Sequence, residues 1–100
     1  MKKGGAVYIM TNALRTVLYT GVTSDLISRI QQHRNKYYPD SFTSKYNATI
    51  LVYYECYSTI QESILEEKRI KGGNRKQKIL LINSKNPLWE DLWEKEVSKW

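Results

Sequence analysis

Ala6-Val7-Tyr8-Ile9-Met10, then Thr11 to Arg15, then Thr16-Val17-Leu18-Tyr19-Thr20 ending at Gly21, is the stretch that decides the fold. Both runs are rich in β-branched and aromatic residues, which suit a pleated, half-buried backbone. The spacing predicts a β-hairpin. Beyond Gly21, Thr23 or Ser24 is placed to cap a helix with Asp25 in its first turn. Leu26, Ile27 and Ile30 then supply an apolar stripe at helical spacing, up to about Lys36.

Further out, Tyr37 to Asn47 reads as a polar loop with Pro39-Asp40 as its turn. Thr49 to Tyr57 is near-continuously apolar, which predicts a third strand covered on both faces. Ser58-x-x-Gln61 and Thr59-x-x-Glu62 each fit a capping box, so a helix is expected from there to Lys71, where Gly72-Gly73 stops it. A short helix from about Arg75 to Asn83 follows. Asn86-Pro87 predicts a last helix with Trp89, Trp93 and Trp100 near one face. The order is ββαβα plus a helical tail, an α+β arrangement.

Composition sets the limits. The chain has 100 residues and a net charge of +6, and Leu, Ile, Val and Phe make up 24 of its residues, enough for one modest core and one domain over residues 1–100. Eight Tyr and three Trp against a single Phe suit a wet, half-buried face. Cys56 and His33 are each the only residue of their kind, which excludes an intrachain disulfide, a Cys/His zinc cluster and a redox pair. No apolar run exceeds five residues, so no membrane span is expected. Thr11 and Asn12 interrupt the apolar stretch after Lys2 and Lys3 before a secretion signal forms, so the expected location is the cytoplasm.

Charge and helix phase point to chemistry. Lys68, Arg69, Lys71, Arg75, Lys76 and Lys78 place six cations and no anion in residues 68–78, a footprint suited to a phosphate backbone, although a solvated face has the same composition. On a helical wheel with Ile60 at 0°, Glu67 falls at about 340° beside Ile64 at about 40°, while Glu62 and Glu66 point away. A carboxylate on an apolar stripe needs a cation, which suggests either a metal ligand or an internal salt bridge. On the preceding helix Arg29 and His33 are neighbours four residues apart, flanking the core stripe. An Arg fork beside an imidazole can hold a phosphate and move a proton; a surface Arg and a half-buried His account for the spacing nearly as well.

Taken together, these residues resemble the GIY-YIG nuclease domain, found in homing endonucleases, in the incision subunit of bacterial excision repair and in small stand-alone bacterial proteins. Ala6-Val7-Tyr8 corresponds to the first motif and Tyr19-Thr20-Gly21 to the second, with ten residues between the two tyrosines. Gly21 to Leu26 with Arg29, Gln32 and His33 is similar to the family's first helix, and Glu62 to Lys71 to the helix bearing its metal-binding Glu. Asn86 to Leu92 resembles the tail of the stand-alone members. Ala6 replaces the family's Gly, and Gly73 stands where relatives often carry Trp.

The resemblance implies a small three-stranded antiparallel sheet flanked by helices, with the site residues on one concave face. It implies an endonuclease or structure-specific nuclease that cleaves DNA phosphodiesters with a single Mg²⁺ or Mn²⁺, in a setting such as DNA repair, acting as a monomer. By position, Glu67 would bind the metal, Arg29 the scissile phosphate, Tyr8 would help activate water, and Tyr19 and His33 would complete the site. The family's Asn falls on Asn74, Asn83 or Asn86, and none is assigned. The alternative is a nucleic-acid-binding module on the same scaffold with little or no turnover.

Overall fold

The computed structural model describes residues 4–100, so the leader reading at Lys2 and Lys3 lies outside the described residues. Three strands, β1 (Gly5–Thr11), β2 (Leu18–Thr23) and β3 (Ile50–Tyr57), form an antiparallel sheet in the order β2-β1-β3. Helices α1 (Leu26–Arg34), α2 (Phe42–Lys45), α3 (Ile60–Lys71), α4 (Arg75–Lys85) and α5 (Leu92–Lys95) surround it, followed by a 3-10 turn at Val97–Lys99. The α+β class and three-stranded antiparallel sheet are as the sequence implies.

The hairpin forms as expected, with Tyr8 opposite Gly21 and Met10 opposite Tyr19. Every residue of the central strand β1 is buried, because helices cover both faces of the sheet. On the first face Ala6, Tyr8 and Met10 pack with Leu26 and Ile30 of α1 and with Leu92 and Val97 from the tail. On the second face Val7 and Ile9 pack with Ile70 of α3 and Ile82 of α4. A bulge opposite Ile9 and Met10 leaves Val52 as the extra residue of β3, so that Val52 and Tyr53 both serve the second face while Leu51 and Tyr54 serve the first. The strand reads as near-continuously apolar because both of its faces are packed.

Four local readings change. Asp25 is the N-cap of α1, not a first-turn residue: its carboxylate accepts from the Ser28 N–H at 3.2 Å. Thr59, not Ser58, caps α3, accepting from the Glu62 N–H. The expected loop over residues 37–47 contains α2, capped by Ser41. No helix starts at Asn86. Its amide instead donates to the Val52 and Glu90 carbonyls and its Oδ1 accepts from the Glu90 N–H, a buried staple that leads the chain around the end of the sheet. Trp89 has φ 53°, outside the helical region, and Asp91 caps the helix that does form. The three tryptophans consequently part company: Trp89 joins the second face, Trp93 the first, and Trp100 meets the Tyr54 ring edge-on at 5.4 Å.

The stripe of α3 is also rotated from its expected phase. Ser63 and Ile70 are its buried residues, and Ile64 is exposed. Ser63 lies so close to Gly5 that a Cβ there would meet its Oγ at 2.3 Å, which seats α3 tightly on β1. Glu67 stays on the inward side, mostly buried. Among the described residues no helix is long and apolar enough to cross a membrane.

Candidate active site

Tyr8 reaches from the centre of the sheet across the bare backbone of Gly21, its partner in the hairpin. Its hydroxyl ends 2.7 Å from Nε2 of His33, buried on α1. Nδ1 of the same ring is 2.7 Å from the hydroxyl of Thr43, itself buried at the start of α2. Tyr19 closes the cluster, with ring centroids 6.3 Å from Tyr8 and 5.5 Å from His33. Arg29, one turn before His33, donates to Gln32 at 3.0 Å, and its guanidinium lies against the Tyr8 and Tyr19 phenols.

Burial drives the electrostatics. Desolvation chiefly, with the neighbouring Tyr19 and the Glu67 carboxylate adding to it, pushes the Tyr8 phenol up to about 12, so it is protonated at neutral pH. Desolvation and then the Arg29 charge push His33 down to about 4, so the imidazole is neutral there. Burial opposes the Arg29 cation, but its interaction with the Tyr8 and Tyr19 phenols prevails and its pKa is raised.

A neutral imidazole has one N–H and one lone pair, and the hydroxyls on either side decide which nitrogen carries which. Ser41 Oγ donates to Ser44 Oγ at 3.2 Å, which leaves its lone pairs toward Thr43 Oγ1 at 3.3 Å. With Thr43 donating to Ser41, its oxygen accepts from His33 Nδ1–H, and Nε2 is left as acceptor for the Tyr8 hydroxyl. In this tautomer the basic nitrogen of His33 faces Tyr8.

Tyr8, Tyr19, Arg29 and His33 thus form one cluster on the first face. Glu67 comes from α3, whose Ile70 packs on the second face, and its carboxylate is near enough for its charge to act on Tyr8. Its Oε2 pairs with Lys71 at 3.1 Å, and its side chain keeps only 13% of its surface while Lys71 is half-exposed. This ion pair is neither fully buried nor strongly held. Among the described residues no three His, Cys, Asp or Glu side chains gather to form a metal cage. A single, mostly buried carboxylate nevertheless fits a hard divalent ion that keeps most of its water.

The six cations of residues 68–78 lie at the end of α3 and the start of α4. Arg69 grips both oxygens of Glu66, Lys78 donates to the Gly73 carbonyl at 2.8 Å, and Arg75 donates to the Arg15 carbonyl at 3.0 Å. Lys68 and Lys76 are exposed. The three candidate asparagines all have structural work: Asn74 caps α4 in a capping box, Asn83 accepts from the Trp89 indole at 2.6 Å, and Asn86 is the staple already described. Sequence reasoning missed Thr43, whose only advance signal is the Ser41-x-x-Ser44 cap around it.

Comparison with known proteins bears on the family and the fold. The GIY-YIG catalytic domain model matches residues 4–80. The chain is 37% identical over 81 residues to the UPF0213 protein CPE1444 of Clostridium perfringens, covering 81% of this chain and 85% of that one. It is 32% identical over 82 residues to a UPF0213 protein of Bacillus pumilus, covering 82% and 83% of the two chains. The solution structure of the UPF0213 protein BH0048 from Bacillus halodurans superposes with a TM-score of 0.57 over 92% of this chain and 96% of that one, at 24% identity, which shows a shared fold. By its sequence match over most of its length, the chain belongs to the GIY-YIG catalytic domain family, a family of nucleases.

Proposed function

We propose that this chain is a divalent-metal-dependent endonuclease that hydrolyses phosphodiester bonds in DNA, acting as a single domain. The observation that carries this reading is the Tyr8 hydroxyl held 2.7 Å from Nε2 of a neutral His33 and beside the Arg29 guanidinium. Such a phenol need not ionise beforehand. As it takes a proton from an attacking water, its own proton passes to His33 Nε2, so no free phenolate is formed. A phosphate drawn to Arg29 offsets the positive charge that helps keep His33 weakly basic, and the arrival of substrate thereby makes the proton acceptor stronger. Arg29 then faces the non-bridging oxygens, where negative charge builds as the water oxygen bonds to phosphorus. Glu67 is the residue that would hold Mg²⁺ or Mn²⁺, and such an ion supplies charge stabilisation at the leaving oxygen.

The test uses labelled single-stranded, nicked and branched DNA with Mg²⁺ or Mn²⁺, repeated in EDTA. Cleavage is expected with metal and not without it. Glu67→Gln should abolish both cleavage and any metal-induced rise in melting temperature, and its stability in EDTA should match or exceed that of the wild type, because the exposed Lys71 loses little. Cleavage that survives EDTA, or an active Glu67→Gln protein, would overturn the assignment.

A further inference from the structure

The segment from Tyr37 to Tyr46 is not simply a polar loop. Lys36 and Asn47 at its two ends both adopt left-handed backbone, with φ 52° and 55°, and the Lys36 ammonium donates to the Asn47 side chain. The loop is thereby closed at its base, and Ser41 and Thr43 pin its interior to α2 and His33. Compact loops of this kind present their side chains at little further ordering cost.

What the loop presents is aromatic. Tyr37, Tyr38, Phe42 and Tyr46 keep between 43% and 67% of their surface exposed, a dense group of rings for a chain of this size. They touch one another and the active site. Phe42 stacks on Tyr19 at 5.9 Å with 27° between the planes, and Tyr46 lies 4.6 Å beyond Phe42. Tyr38 sits under the Arg29 guanidinium at 5.7 Å and meets Tyr37 at 4.9 Å. Two aromatic tracks therefore lead away from Tyr19 of the cluster and from Arg29, the residue proposed to meet the scissile phosphate.

Exposed rings with the Arg29 cation against one of them form a surface on which unpaired bases stack while a neighbouring phosphate is neutralised. In a duplex the faces of the bases are buried in their own stack, and these rings would gain only edge contacts. The geometry points to Tyr37, Tyr38, Phe42 and Tyr46 as a stacking platform for unpaired nucleobases next to the reacting phosphate, making single-stranded segments the preferred substrate of the chain. This rests on the nuclease reading for its placement of the phosphate, but its test needs no turnover.

Binding is measured in EDTA by fluorescence anisotropy, with a labelled oligothymidine, the same backbone carrying abasic sites, and a duplex of equal length. The wild type is expected to bind oligothymidine at least about tenfold more tightly than the abasic strand, the scale of a stacked base or more. Phe42→Leu/Tyr46→Leu should lose that advantage while duplex affinity changes less than twofold. Phe42→Tyr/Tyr46→Phe, which retains both rings, should keep it. A wild type that does not distinguish bases from abasic sites, or a leucine variant equally weakened toward duplex, refutes the platform. If the protein cleaves DNA in metal and yet shows no base preference, the platform alone falls; if it neither binds nor cleaves, both readings fall.

Discussion

At the scale of single residues, the decisive position is Gly21, because its missing side chain makes room for Tyr8. A Cβ there would lie 2.4 Å from both the hydroxyl and Cζ of Tyr8, closer than real contacts allow. The phenol is fully buried and cannot swing aside cheaply, so Gly21→Ala should drive it off His33. The expected result is a folded protein, destabilised by about 1–3 kcal/mol through overpacking, whose cleavage rate falls on the order of 10²-fold from a misplacement near 1 Å. Thermal melts beside single-turnover kinetics separate the two effects. Wild-type cleavage by Gly21→Ala would mean that the hydroxyl position of Tyr8 has no bearing on turnover.

Helices and strands differ in how plainly the sequence announces them, and the difference follows from what each depends on. The hairpin and the bodies of α3 and α4 rest on local patterning, caps and glycine stops, and they lie where the pattern puts them. The tail does not, because Asn86-Pro87 looks like a helix start only while the Val52 carbonyl that captures the Asn86 amide is unknown. Thr43 and the aromatic loop were hidden for the same reason: their partners, His33 and Tyr19, are brought to them by the fold. The phase of α3 differs from the one its apolar residues predict because Ser63, polar but small, takes the innermost position against Gly5 and leaves Ile64 outside.

Pairing within α3 and α4 also sorts the cations, which composition cannot do. Arg69 is committed to Glu66 and Lys78 to the Gly73 carbonyl, whereas Lys68 and Lys76 face solvent. Removing an uncommitted phosphate contact lowers the slope of log affinity against log salt by about 0.9 for duplex and about 0.7 for single strands. Lys68→Gln and Lys76→Gln are each expected to flatten the slope by that amount, and Arg69→Gln by clearly less. Anisotropy titrations across a range of salt measure this, and three equal slopes would show that the ion pairs do not bias the surface.

For the molecule as a whole, the most consequential feature is that the site is built into the core. β1 is buried along its entire length, and the His33 that receives the Tyr8 hydroxyl is as much a core residue as Leu26 or Ile30. Its proton affinity therefore couples acid to folding. In the folded protein burial, with help from Arg29, lowers the His33 pKa to about 4 from an ordinary 6.5. Between these values the unfolded chain binds a proton that the folded chain refuses, so stability is full above about pH 6.5, falls as the pH drops, and stops falling on this account below about pH 4. The whole step amounts to roughly 3 kcal/mol at most, a large share of what a domain of this size has to spare. Glu66 is held low by its hydrogen bond to Arg69, so its contribution is lost only at more acid pH and does not mimic this step. Urea unfolding at pH 7, 5.5 and 4.5 should show the wild type weakening steadily while His33→Gln, which retains hydrogen-bonding atoms near Tyr8 and Thr43, stays nearly flat. Parallel curves for the two proteins would mean that His33 is charged or solvated in the fold, and the direction of the proton path from Tyr8 would have to be reversed.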